Sequence, residues 1–440
     1  MEIRDNILFI GGVSARDLVD EFKSPLYVYE EETIRERARE LKIAISYENK
    51  EIKFACKANT NIEIMKILRD EGLGIDAVSP GEIFAALAAG FSPARILFTT
   101  NNVLWEEIEY AVSKNVMANL DSLSQLRMFG QRFPGMDVCV RINPNVGAGH
   151  HDHVITGGPE SKFGINYTEV DDIKKIADKY NLRITGIHQH IGSGILEPKM
   201  FIKAMDVLLE TAKYFTDLSF IDFGGGIGVP YRENEKRIDI DVLGRMISER
   251  FESFAAQQNE DPNNSGCQET GPAETGQKKE GLKLVIEPGR YLVAESGFLL
   301  ATVASVKEEK KHRFVGIDTG FNHLVRPAMY GSYHQILHAE KAEDQGVKQV
   351  IAGNLCESGD TFTRDENGIV DRSLPLFNEG DIVCMCNAGA YGYSMSSFYN
   401  SRPRPSEVLV KDGNVKLIRR RETYEEIFTC SLQHSELNRR

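Results

Sequence analysis

Lys57 stands at the end of the short apolar run "IKFACK", just before Ala58, Asn59 and Thr60. A strand that closes on an amine either meets solvent there or holds the amine in a pocket for covalent chemistry. Other reactive residue types end other apolar runs in the same way. Asp76 and Ser79 close "LGIDAVS", and His188, His190 and Ser193 close "ITGIHQHIGS". Gly224, Gly225 and Gly226 close "SFIDFGGG", and Glu287, Pro288, Gly289 and Arg290 close "LKLVIEPG". Taken singly, each has a plain structural reading as a solvated strand end, a tight turn or a hydrogen-bonded histidine. Taken together, they form a chemical set. The glycines let backbone N–H groups approach an anion, although their spacing is not that of a dinucleotide fingerprint. Arg290 and the Ser193 hydroxyl complete a phosphate cup. His190 offers a flat platform for an aromatic ring, and Glu287 an acid that holds a proton on a heterocyclic nitrogen. An amine, a phosphate cup, a ring platform and an acid suit pyridoxal 5'-phosphate. Lys57 would carry it as a Schiff base, and Glu287 would make its ring an electron sink.

Such a set must be gathered by the fold. Between residues 50 and 290, short β-branched or apolar runs alternate with longer stretches of helical period. The runs are "IKFACK", "LGIDAVS", "RILFTT", "MANLDS", "DVCVRINP", "ITGIHQHIGS", "SFIDFGGG" and "LKLVIEPG", with helical stretches such as "NIEIMKILRDEG" and "EVDDIKKIADKYN" between them. Eight strand–helix units predict a (β/α)8 barrel, which collects functional groups at the C-terminal ends of its strands. An open doubly wound sheet is the alternative. The polar segment 257–281 breaks the rhythm and reads as a surface insertion before the eighth strand. After residue 300 strands and turns dominate, and "VKDGNVKLI" reads as a hairpin. The strand-like N-terminal runs "ILFIGG" and "PLYVYE" are expected to join that β domain. The predicted organisation is therefore 1–34 as strands of the β domain, 35–300 as the cofactor-binding barrel and 301–440 as the β domain.

Composition narrows the class. With 41% hydrophobic and 27% charged residues, the chain has the make-up of a globular protein. A net charge of −13 argues against a nucleic-acid partner. No apolar run is long enough to span a bilayer, and "MEIRDNILFIGG" lacks the features of a signal peptide. Seven cysteines in 440 residues make no disulfide scaffold, and Cys384 and Cys386 lack zinc spacing. A cytoplasmic protein, with neither membrane nor bound metal, is expected.

The chain resembles the barrel-type (fold type III) pyridoxal phosphate decarboxylases, and among them it is most similar to the diaminopimelate decarboxylases. Within the barrel the resemblance rests on "FACKANTN", "GIDAVSPGE", "ESKFGI", "GIHQHIGSGI", "DFGGGIGVPY" and "IEPGRYLVAESG". Beyond it come "LVRPAMYGSYH", "GNLCESGDTF" and "NAGAYGYSMSSFYNSRPRPSEVLV". The resemblance implies that Lys57 carries the cofactor, that His190 stacks on its ring and that Glu287 faces the ring nitrogen. Asp76 belongs to the same cofactor site. Ser193, the Gly224–Gly226 turn, Arg290 and Tyr391 surround the phosphate. Arg290, Arg326, Tyr330, Glu357 and Tyr391 bind the substrate, and Cys356 is an acid group delivered by the neighbouring subunit of a homodimer. Asn354 departs from many relatives but leaves Cys356 and Glu357 intact. The implied reaction converts meso-2,6-diaminopimelate to L-lysine and CO2, the last step of lysine biosynthesis. Alternatives are a decarboxylase of D-ornithine, D-lysine or carboxynorspermidine, an alanine racemase, or a catalytically dead regulator. The racemase would call for an arginine at the ring nitrogen, where this chain has Glu287. The dead regulator is opposed by the presence of Lys57, Glu287 and Cys356.

Overall fold

The structure is a computed structural model, and it describes residues 1–146, 158, 161–260 and 281–437. The chain folds as two compact units. One comprises Arg37–Val229 and Lys236–Tyr291, the other Met1–Glu36, Pro230–Glu235 and Leu292–Arg440.

The first unit is a closed barrel. Its strands are β1 (Lys50–Ala55), β2 (Gly74–Ala77), β3 (Ile96–Thr99), β4 (Met117–Leu120), β5 (Asp137–Asn143), β6 (Arg183–His188), β7 (Phe220–Asp222) and β8 (Lys283–Ile286). Each runs parallel to its neighbours in the ring: β5–β6, β6–β7, β7–β8, β8–β1, β1–β2, β2–β3, β3–β4 and finally β4–β5. The strands are short and buried on both faces, which is why they read as continuous apolar runs rather than alternating ones. Each of the eight ring strands thus has a neighbour on both sides, and the short strand Ile165–Asn166 pairs with the end of β5 outside the ring. At the N-terminal end of β1 the buried Glu51 carboxylate meets Lys53 at 3.1 Å and Arg95 at 2.9 Å. Burial pushes the Glu51 pKa up, but these cations and Lys283 outweigh it, and the group sits below the usual carboxylate range.

Local sequence sets where the outer helices begin. Asn61 caps Ile62–Asp70 by accepting from Glu63 N at 3.0 Å, and Ser122 caps Leu123–Arg132 by accepting from Gln125 N at 3.2 Å. Ser79 likewise caps Pro80–Ala88 through Glu82 N at 3.2 Å, so this member of the strand-end set spends its hydroxyl on a helix start. Helix Val170–Tyr180 buries Val170, Ile173, Ile176 and Ala177 along one stripe and stops at Asn181, whose φ of 54° is left-handed. Helix Ile240–Glu260 continues through the first four positions of the polar 257–281 segment. Residues 261–280 lie outside the described residues.

The second unit is built on a mixed sheet. Its strand order is Arg372–Leu374, Val347–Ala352, Arg313–Ile317, Gly297–Glu308, Leu26–Glu30, Ser406–Lys411 and Asn414–Arg419. Strand Leu26–Glu30 thus sits between two C-terminal strands, antiparallel to one and parallel to the other. The first three strands, Glu2–Arg4, Ile7–Ile10 and Val13–Ser14, form a small sheet of their own. Leu8, Ile10, Leu18, Val28, Leu300, Ile382 and Val408 share one core, which ties the N-terminal segment to the C-terminal one. The last two sheet strands form a hairpin through Asp412 (φ 48°) and Gly413 (φ 75°), the two positive φ values that match the twist of the strands.

Candidate active site

In the barrel unit, β1, β2, β6, β7 and β8 all end at one mouth, and the side chains there hold one another. Lys57 lies just beyond β1, and its Nζ is 3.1 Å from Asp76 Oδ2 at the end of β2. The lysine is 35% exposed and the aspartate 1%, so the amine faces an opening while its counter-ion is enclosed. A cavity of about 360 Å³ lies here, lined by Lys57, Asp76, Arg141, His188, His190 and Glu287 among others. Glu287 follows β8. Its Oε2 is 3.0 Å from His188 Nε2, and both side chains are buried. Burial pushes the Glu287 carboxyl up, but His188 and Lys57 outweigh it and bring its pKa down to about 2. Glu287 is therefore an anion inside a low-dielectric mouth.

His190 lies beyond β6, and its Nδ1 accepts from Gly225 N at 3.1 Å. An acceptor nitrogen means a neutral ring. Enclosure and the nearby Lys57 and Arg141 also drive its pKa well below the usual histidine range. Gly224 N donates to Asp222 Oδ1 at 2.9 Å. The glycine turn is demanded first by the crossing of the strand ends. A Cβ on Gly224 (φ +67°) would lie 2.1 Å from Gln189 O, and one on Gly225 would lie 2.0 Å from Glu287 O. Beside the turn, Arg290 opens the short helix Arg290–Val293 and donates to Ser193 Oγ from Nη2 at 3.0 Å.

The mouth contains groups that the sequence set leaves out. Arg141 sits inside the apolar stretch of β5, 4.5 Å over the Phe163 ring and 3.7 Å from Asp121 Oδ1. A charged residue flanked by Val140 and Ile142 in a buried strand is the signal that finds it. Asp222, within "IDFGGG", is the second.

The remaining predicted residues belong to the β unit. Arg326 starts helix Arg326–Tyr330 and is buried. Its guanidinium packs 4.5 Å over the Tyr231 ring and donates to His334 Nε2 at 3.0 Å. His334 Nδ1 in turn donates to Cys386 O at 2.8 Å, so this histidine is neutral. Tyr330 is half-buried. Cys356 and Glu357 are exposed on a loop after Val347–Ala352. That loop is fixed by its backbone: Cys356 N donates to Asn400 Oδ1 at 2.8 Å and Leu355 N to Asp360 Oδ2 at 2.8 Å. The other Asp360 oxygen accepts from Phe321 N at 2.7 Å. Tyr391 is half-buried and has a left-handed φ of 57°.

The barrel's donor set fits pyridoxal 5'-phosphate. Glu287 Oε1 and Asp76 Oδ1 are buried acceptors that no donor reaches among the described residues. An anionic acceptor suits a protonated ring nitrogen, the neutral face of His190 suits the ring, and Arg290 with Ser193 suits a phosphate.

A family model described as the pyridoxal binding domain of pyridoxal-dependent decarboxylases matches residues 31–294. The chain is an enzyme of that class, a barrel-type decarboxylase that uses pyridoxal phosphate. Within the class it belongs to the diaminopimelate decarboxylase family. It is 46% identical to the diaminopimelate decarboxylase of Methanothermobacter thermautotrophicus over 96% of this chain and 94% of that one. It is 38% identical to the Escherichia coli enzyme, with 94% of each chain covered. Among solved structures, a diaminopimelate decarboxylase from M. jannaschii in complex with L-lysine superposes with a TM-score of 0.83. It is 32% identical and covers 98% of this chain and 96% of that one. A lysine/ornithine decarboxylase from Vibrio vulnificus, 20% identical with a TM-score of 0.73 over 90% and 97% of the two chains, shares the fold.

Proposed function

We propose that the protein decarboxylates meso-2,6-diaminopimelate at its D centre, giving L-lysine and CO2, the last step of lysine biosynthesis. The observation that carries this reading is the barrel mouth. There Lys57, held by Asp76, shares a cavity with the anionic Glu287, in a chain whose family acts on this substrate. When bound, the cofactor supplies an electron sink for the pair left behind by CO2. The protein's own residues do the rest. Lys57 carries the cofactor, with Asp76 orienting its amine. Glu287 keeps the ring nitrogen protonated, and His190 supports the ring face. Ser193, Arg290, the Gly224–Gly226 turn and Tyr391 hold the phosphate.

Arg290, Arg326, Tyr330, Glu357 and Tyr391 bind the substrate in this reading. A guanidinium and a phenol suit the distal carboxylate, and Glu357 suits the ammonium beside it. Cys356, or a group it assists, returns a proton to the α-carbon. The Cys356 side chain is exposed on a backbone-pinned loop, which supports delivery to the site of a partner subunit in a homodimer. The six described cysteines are free, which suits a reducing cytoplasm. No helix among the described residues is long and apolar enough to cross a membrane.

A CO2-release panel tests the reading, using meso-diaminopimelate, D-lysine, both ornithines and carboxynorspermidine. Turnover confined to diaminopimelate with L-lysine as product is expected. Equal turnover of D-lysine or D-ornithine would replace the substrate assignment.

A further inference from the structure

Behind Glu287 lies a second carboxylate that the proposed chemistry does not use. In the β6–β7 register His188 pairs with Asp222, and β7 runs beside β8, which Glu287 follows. One side-chain atom from each of His188, Asp222 and Glu287 lies within 4.8 Å of the others, and exposures are 1%, 0% and 3%. Asp222 Oδ1 is occupied by Gly224 N at 2.9 Å. Asp222 Oδ2 is buried and meets no donor among the described residues, and the same holds for Glu287 Oε1. Two adjacent carboxylates this deeply buried do not both stay ionised. A single proton between them gives each its missing hydrogen bond.

The surrounding charges decide which group keeps that proton. Glu287 faces His188 directly and feels Lys57, and Arg141 and His190 also lie in the mouth. Asp222 is wholly enclosed, with Glu287 beside it and Lys53 the cation that acts on it; the Cys139 thiol is also near. Burial, then the Glu287 charge, drive the Asp222 carboxyl well above its usual range.

We infer that Asp222 is a positioning residue for the cofactor ring. It stands protonated, donates from Oδ2 to the Glu287 carboxylate, and through Oδ1 fastens the Gly224 turn to the same group. One side chain then couples the acceptor of the ring nitrogen to the turn beside the phosphate, and the pair presents a single negative charge. A carboxylate oxygen accepts two hydrogen bonds, so Glu287 keeps a site for the ring N–H. This inference rests on the assignment of Glu287 to the ring nitrogen.

Asparagine mimics the protonated acid: its Oδ1 accepts from Gly224 N and its Nδ2 donates to Glu287. Infrared difference spectra of cofactor-free wild type minus Asp222→Asn, at neutral pH, should show loss of a protonated-carboxyl C=O band. A difference spectrum that instead loses a carboxylate band pair overturns the inference, because Asp222 is then ionised. Cofactor affinity, followed by fluorescence quenching, gives the second readout. Asp222→Ala should weaken binding about tenfold or more, since it leaves buried groups unpaired, and Asp222→Asn should rescue it. An Asn variant as weak as the Ala variant overturns the inference, and so does stoichiometric divalent metal in the purified protein, which would put a cation where the proton is placed. If Asp222→Ala does not fold, the infrared comparison still decides. The reading of Glu287 fails separately: Glu287→Gln with an unaltered cofactor absorbance removes that assignment and leaves the carboxyl band of Asp222 in place.

Discussion

The barrel mouth and the Leu355–Asp360 loop of the β unit hold their reactive groups in opposite ways. In the mouth, side chains lock side chains: Lys57 to Asp76, Glu287 to His188, Arg290 to Ser193. In the loop the backbone is locked, by Asn400 and Asp360, while the side chains of Cys356 and Glu357 point to solvent. Preorganised groups inside a low-dielectric site do electrostatic work without reorganising. Groups displayed on an exposed loop with a pinned backbone keep their side chains accessible. In the proposed reading, most of the cofactor-binding groups come from the barrel mouth, whereas Cys356 on the loop acts at a partner's site.

The largest effect should come from breaking the mouth. Lys57→Ala is expected to keep the fold, by circular dichroism, and to lose activity by about 10⁴-fold or more, as removal of a covalent catalytic group does. Borohydride reduction followed by peptide mapping of wild type should place the cofactor on Lys57; a label on another lysine breaks the assignment.

A comparable effect on selectivity is expected at Arg326. A site built around a carboxylate rejects the analogue lacking it by roughly 10⁴-fold. Wild type should thus prefer meso-diaminopimelate to D-lysine in kcat/KM by about that factor. Arg326→Ala should erase most of the preference by losing the good substrate, not by gaining the poor one. An unchanged ratio would mean that Arg326 serves packing alone, on Tyr231 and His334.

The β unit also carries a pH dependence. Buried His323 lies 2.8 Å from Thr319 Oγ1 through Nδ1 and 3.0 Å from Pro403 O through Nε2, and burial lowers its pKa from 6.5 to about 4. Between those values the unfolded chain binds a proton that the folded one does not, so stability falls as pH falls. The loss should reach about 3 kcal/mol by pH 4, and His323→Gln should flatten the slope in denaturant titrations. An unaltered slope assigns the dependence to other groups.

The smallest effect should come from loosening the loop. Asp360→Ala strands the N–H groups of Leu355 and Phe321 and should cost about 2 kcal/mol. Cofactor affinity should stay that of wild type while turnover drops. A matching loss of cofactor would dissolve the distinction between the two regions.

What the sequence discloses follows the same division. The eight barrel strands and their reactive ends are legible because buried parallel strands leave continuous apolar runs that stop at unusual residues. Arg141 and Asp222 escape because each lies inside such a run, where a charge reads as an interruption rather than a partner. Ser79 is over-read: its hydroxyl caps a helix, a local duty that strand-end position does not reveal. The hairpin at Asp412–Gly413 is legible from turn chemistry. Helix Tyr424–Leu437 is missed, although Thr423 and Glu426 form a reciprocal cap, with Glu426 N to Thr423 Oγ1 at 3.2 Å and Thr423 N to Glu426 Oε2 at 2.9 Å. The residues of the β unit proposed to bind substrate, spread from Arg326 to Tyr391, are separated by loops with no periodicity, so family resemblance alone singles them out.

The central claim is that the barrel mouth serves its own chain while Cys356 serves a partner's. Mixing Lys57→Ala and Cys356→Ala chains tests it most directly. Each variant alone should be nearly inactive. Random exchange makes half the dimers mixed, each with one intact site, so about a quarter of wild-type activity should return for independent sites in a two-fold dimer. No recovery, with exchange verified by native mass spectrometry of differentially labelled chains, would contradict the claim and place the whole site within one chain.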